Sequence, residues 1–117
     1  MSVYVNESDM DLSEIDQRFG IVSQMEDSDE VLILPGGLGA FYDIFRAIEM
    51  KKDVLIYNRD MFFTSMLRNL YQSYESGYIK ETPSEYVIIE SEFKDILRKL
   101  EELENGKIND GKNGKLL

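Results

Sequence analysis

The chain contains no cysteine and no histidine. Without thiols there are no disulfides, no cysteine nucleophile and no thiolate metal site. Without imidazole, neither a histidine-based catalytic triad nor histidine-ligated zinc can be built, and proton transfer falls to carboxylates, tyrosines, lysines or hydroxyls. No apolar run approaches the length of a membrane span, and the opening residues MSVYVNESDMD carry no basic region followed by an apolar core. The expectation is a cytoplasmic protein that does not engage membranes. Positive charge is also scarce: 13 basic residues face 23 acidic ones, a net charge of −10. That field repels DNA and RNA, so nucleic-acid binding is disfavoured. A bound phosphate would have to be held locally, by main-chain amides and one or two arginines.

What is present suits a single domain. The chain has 117 residues, 43% of them hydrophobic and 31% charged, which is ordinary for a globular fold. Apolar runs at Val31 to Leu34, Val54 to Tyr57 and Tyr86 to Ile89 read as buried strands, and Val3 to Val5 as a short additional one. Between them lie helical periodicities. A helix capped by Asp11 or Ser13 runs to about Glu26, with Ile15, Phe19, Val22 and Met25 inward. A second carries Phe41, Ile44, Phe45 and Ile48, and a third from about Met61 carries Phe62, Met66, Leu70 and Tyr74 and closes at Gly77. The last spans Glu92 to Leu103, with Phe93, Ile96, Leu97 and Leu100 inward. Strands alternating with helices predict an α/β fold: a three-layer α/β/α parallel sheet of three to four strands over residues 1–104. Residues 105–117, rich in glycine, asparagine and lysine, read as a flexible tail.

The densest signal is VLILPGGLGAFYDIF, residues 31–45, in which a buried strand runs into a glycine loop and then a helix. Gly36, Gly37 and Gly39 let the backbone approach a bound group without a Cβ in the way, and the helix N-terminus adds unpaired amides. Pro35, Gly36, Gly37, Leu38, Gly39 and Ala40 are therefore the candidate anion-binding residues. The spacing is neither the dinucleotide fingerprint GxGxxG nor a P-loop. Ligands of parallel sheets bind at the carboxyl ends of strands, where Asn58-Arg59-Asp60 also lies after Tyr57. If the two strands are neighbours, Tyr42, Asn58 and Asp60 wall the same crevice. Asp9, Asp11, Glu14 and Asp16 lack the spacing of a calcium loop and read as a solvated helix start, so no metal site is expected.

Together these segments resemble the LONELY GUY family of phosphoribohydrolases, often labelled lysine decarboxylase-like proteins, which carry a PGGxGTxxE motif in a Rossmann-like fold. Pro35 to Asp43 follows that motif. Tyr57 to Leu67, Glu75 to Ile79 and the Ile88-Ile89 strand with the final helix are similar to the segments that follow it. The resemblance covers roughly residues 20 to 104 and implies cleavage of the N-glycosidic bond of a nucleoside 5′-monophosphate to base and ribose 5-phosphate, without a cofactor. It places the phosphate on the glycine amides and makes Asp43, where the family has glutamate, the acid that engages the ribose or the attacking water. Ala40 replaces the motif's threonine. Gly20 stands at the register of the family's catalytic arginine, with Arg18 two residues away as the substitute.

The family's first strands and glycine loops precede the point where the resemblance starts. A sheet shortened that way exposes an edge and an apolar face, which either the short N-terminal piece or another chain must cover; a homodimer is the more economical solution. Three functions follow as alternatives: nucleoside monophosphate binding without turnover, phosphoribohydrolase activity, or a structural remnant that acts through dimerisation.

Overall fold

The computed structural model describes residues 1–106. Most of the expected tail, from residue 107 onward, lies outside the described residues. Five strands form one parallel sheet: β1 (Val3–Val5), β2 (Ile21–Val22), β3 (Glu30–Ile33), β4 (Val54–Tyr57) and β5 (Val87–Glu90), in the spatial order β2-β1-β3-β4-β5. Registers run Val3 opposite Ile21 and Glu30, Val31 opposite Val54, and Val54 opposite Val87. The fold class is the α/β Rossmann-like one, with five strands rather than three or four.

Alternation along the strands sends side chains to two cores. Val31, Ile33, Val54, Ile56 and Val87 pack beneath α2 (Leu38–Glu49) and α3 (Thr64–Glu75). Leu32, Leu34, Leu55, Tyr57 and Ile88 pack on the opposite face, beneath α1 (Ser13–Phe19) and α4 (Phe93–Glu104). Every residue of β3 and of β4 is buried, as near-continuous apolar strands covered on both faces require.

The extra strand comes from a helix that stops early. The periodicity of Ile15 and Phe19 holds, but α1 ends at Gly20, whose φ of 80° leaves helical space. Asp16 holds the exit, with its carbonyl accepting from the Gly20 amide at 3.0 Å and its carboxylate from the Ile21 amide at 2.9 Å. The β-branched pair Ile21-Val22 then joins the sheet beside β1. Met25, expected on a helix, is buried in a single 3-10 turn, Met25–Asp27. Residues before the glycine loop thus build their own β1-α1-β2 unit. The apolar face that a shortened sheet would expose is covered from within the chain.

A smaller correction concerns α3. The stripe of Phe62, Met66, Leu70 and Tyr74 is displaced by one residue at its start, so that Phe63 and Leu67 are fully buried and Phe62 is exposed. A 3-10 turn at Arg59–Met61 with φ of 53° at Asp60 and 60° at Met61 delays the helix to Thr64 and rotates its first turn. In α2, Asp43 and Ala40 take inward positions, while Phe45, expected inward, is exposed.

Candidate functional site

Strand order reverses direction at β1 and β3. From β1 the chain moves outward to β2 across one face, and from β3 it moves the other way through α2 on the opposite face. The carboxyl ends of these two neighbours therefore diverge, which is where parallel α/β sheets bind ligands. A cavity of about 530 Å³ opens there. Tyr4, Glu7, Ser8 and Asp9 line it from the β1 side, and Pro35, Gly36, Gly37, Gly39, Ala40 and Asp43 from the β3 side. Its volume falls within the range of small-molecule sites.

Asn6 fixes the separation of the two walls. Its side chain is nearly buried, accepts from the Leu34 amide at 2.7 Å through Oδ1 and donates to the Leu34 carbonyl at 2.9 Å through Nδ2. The carboxamide stands in for a peptide group and continues the β1–β3 ladder by one rung after the backbones have parted. Both polar groups of the last residue before the loop are satisfied without closing the crevice.

The glycine loop has no internal need for its glycines at two of three positions. None of the three has positive φ, since only Gly20, Gly77 and Gly106 do among the described glycines. A Cβ built on Gly37 or Gly39 meets nothing within 4 Å, whereas one on Gly36 would sit 3.4 Å from the Glu7 carbonyl. Missing side chains at Gly37 and Gly39 thus leave open space rather than relieve crowding. The Ala40 amide is taken by the Gly37 carbonyl at 3.0 Å, and among the described residues no loop or cross-strand bond takes up the amides of Gly36, Gly37, Leu38 or Gly39. These groups and the N-terminal end of α2 form the cavity's potential for an anion.

Asp43, one turn into α2, lines the same cavity and is 9% exposed. Its Oδ2 accepts from the Tyr4 hydroxyl at 2.8 Å. Burial first, then the hydrogen bond to Asp43 and its negative charge, push the Tyr4 phenol up to about 12. Tyr4 therefore remains a proton donor to the carboxylate across the neutral range. Arg18, the basic side chain singled out from the sequence, is elsewhere. It lies on α1, on the opposite face of the sheet, where it pairs with Glu14 at 3.1 Å and Glu101 at 2.7 Å. A role beside Asp43 would require it to cross the sheet. Arg46 pairs with Glu26 at 2.8 Å, and the residues lining the cavity include no arginine or lysine.

Asn58 and Asp60 follow β4 and are not among the lining residues, because the crevice forms between β3 and β1 rather than between β3 and β4. Asn58 braces the turn that leads into α3: its Oδ1 accepts from the Phe63 amide at 2.6 Å and its Nδ2 donates to the Thr64 hydroxyl at 3.0 Å. Asp60 and Tyr42 are exposed, and Leu38 points its side chain into solvent at 87% exposure. Tyr4, Asn6, Glu7 and Ser8 were not foreseen as site residues. The available signal was the tyrosine between two valines, whose alternate position puts it on the face shared with α2. Among the described residues no group of three or more acidic side chains is placed to hold a metal ion, and no helix is long and apolar enough to cross a membrane.

Comparison with curated proteins gives no match. A family model described as possible lysine decarboxylase matches residues 8–100, beginning in the cavity's β1-side loop and ending in α4. With the parallel sheet, the PGGxG loop and the cavity at its strand ends, that match settles the family: the chain belongs to the lysine decarboxylase-like, or LONELY GUY, family.

Proposed function

We propose that the chain binds a nucleoside 5′-monophosphate in the cavity between β1 and β3. The observation that carries this reading is the set of unengaged amides at Gly36, Gly37, Leu38 and Gly39 beside a 530 Å³ cavity. The phosphate meets these amides and the α2 N-terminus, and the sugar lies toward Asp43. Glu7 and Asp9 are exposed, so their repulsion of the phosphate is moderated by solvent. Isothermal titration with AMP tests this. Saturable binding supports the reading, and its absence returns the chain to a structural remnant.

Turnover is the second reading, favoured by the nearly buried carboxylate of Asp43 inside the cavity. In that reaction the C1′–N bond breaks, the base leaves with the bonding electrons and takes up a proton, and water adds to C1′. Asp43 accepts the water's proton or stabilises the positive charge that develops on the sugar. The expected result is release of ribose 5-phosphate from AMP, lost in Asp43→Ala. AMP binding without release by the unaltered chain assigns a binding role alone.

Self-association is also proposed, on a surface different from the one first expected. Leu38, Tyr42 and Phe45 of α2 are exposed, as are Met61 and Phe62, whose ring stacks 6.3 Å from that of Phe41 in the same helix, and the exposed Arg59 and Asp60 supply opposite charges that a two-fold contact can pair. Sedimentation equilibrium is expected to show a dimer that Tyr42→Glu converts to monomer; a monomeric wild type removes this proposal.

A further inference from the structure

We propose that Tyr4 is a specificity-determining residue that orients Asp43 toward a ribose diol, so that the cavity selects ribonucleotides over 2′-deoxyribonucleotides. The inference rests on the nucleotide-binding reading and deepens it. Tyr4 lies before residue 8, where the family match begins, so it is not one of the matched motif residues. Its hydroxyl and Asp43 come from separate elements, β1 and α2, and meet at 2.8 Å on the wall of the cavity.

The hydrogen-bond inventory decides which ligand groups fit. The phenol has one proton, and Oδ2 of Asp43 receives it. What the pair then offers the cavity is acceptor capacity only: both lone pairs of Oδ1, for which no donor is recorded among the described residues, and those remaining on the phenol oxygen. A ligand group facing them must donate. The phosphate cannot, since it is itself an acceptor, and it is directed to the loop amides instead. A vicinal diol supplies two adjacent O–H donors, one for the carboxylate and one for the carboxylate or phenol oxygen. Donation to an ionised carboxylate gives the stronger class of hydrogen bond.

Tyr4 matters because a lone aspartate on a helix can rotate its carboxylate. The phenol pins one oxygen, so the other stays presented without a rotational cost at binding. Removing the 2′-hydroxyl leaves a nearly buried acceptor unmatched, and discrimination by this mechanism is expected to reach at least about tenfold.

The test is calorimetric titration of the full chain with AMP, 2′-deoxy-AMP and inorganic phosphate, on wild type and Tyr4→Phe. Wild type is expected to prefer AMP over 2′-deoxy-AMP by about tenfold or more. In Tyr4→Phe the ratio should fall to within about threefold, because the phenyl ring keeps the packing but cannot fix the carboxylate. A merely structural role would weaken both nucleotides alike and leave their ratio in place, which overturns the proposal. Wild type that binds phosphate and both nucleotides without preference overturns this inference alone, and that arm requires no variant to fold. Wild type that binds none of the three overturns the phosphate-loop reading and this inference with it.

Discussion

Asn6→Ala is expected to destabilise the chain by about 2–4 kcal/mol, because it strips the partners from both the amide and the carbonyl of Leu34. Leu34 is fully buried, and Asn6 itself is only 2% exposed, so water does not readily replace the lost carboxamide. Each buried group left unmatched costs about 1–3 kcal/mol, against a total stability of about 5–15 kcal/mol for a small domain. Thermal melts and urea denaturation followed by circular dichroism should show a midpoint lower by roughly 10 °C or more. Asn6→Asp separates the two hydrogen bonds. It retains an acceptor for the Leu34 amide but sets a carboxylate against the Leu34 carbonyl, so it too is destabilised at neutral pH. Burial raises the new carboxyl's pKa, and acidification through that value restores a donor and recovers stability. Equal stability of Asn6→Ala and wild type would show that the β1–β3 crevice is held by other contacts.

The features easiest to foresee were those written in contiguous residues. Val54–Tyr57 forms the strand its apolar run implies, and Gly77 closes α3 with φ of 85°. The glycine loop leads from β3 into α2 in the expected way. The misplacements came where a local pattern had two solutions. Val22 continues the helical spacing of Ile15 and Phe19, yet it and Ile21 are β-branched and follow a glycine, and sheet pairing with β1 wins. Phe62 and Phe63 are adjacent aromatics, and two residues of positive φ just before them decide which one is buried. The candidate site was half legible for a different reason. Its β3 wall is a motif, but its β1 wall depends on which strand lies beside β3. That choice is set by long-range pairing, and it moved the crevice from Asn58 and Asp60 to Tyr4 and Glu7. Asn58 illustrates the ambiguity: a polar residue at a strand end braces the following turn or faces a ligand, and its side-chain hydrogen bonds go to Phe63 and Thr64 of that turn and helix start.

Gly39→Ala is expected to move stability and binding in opposite directions. Gly39 is the second residue of α2, has no positive φ, and a Cβ there meets nothing within 4 Å beyond its chain neighbours and the helix's own backbone. By helix propensity alone, alanine at this position should stabilise the fold by up to about 0.5–1 kcal/mol, since glycine loses more backbone entropy on folding. If the open space exists for the protein's own convenience, nothing further should change. If it is where a phosphate approaches the amides, the methyl group holds the anion away from them, and hydrogen bonds that lengthen beyond about 3.2 Å weaken steeply. AMP affinity is then expected to fall by at least about tenfold, equivalent to about 1.4 kcal/mol. Paired measurements on one variant, a thermal melt and an AMP titration, make the prediction hard to satisfy by accident. General damage to the fold lowers both quantities, and an ordinary βα turn leaves binding untouched. A more stable chain with weaker binding is the signature of a glycine kept for a ligand, and unchanged AMP affinity in a well-folded Gly39→Ala variant would remove the phosphate from the loop.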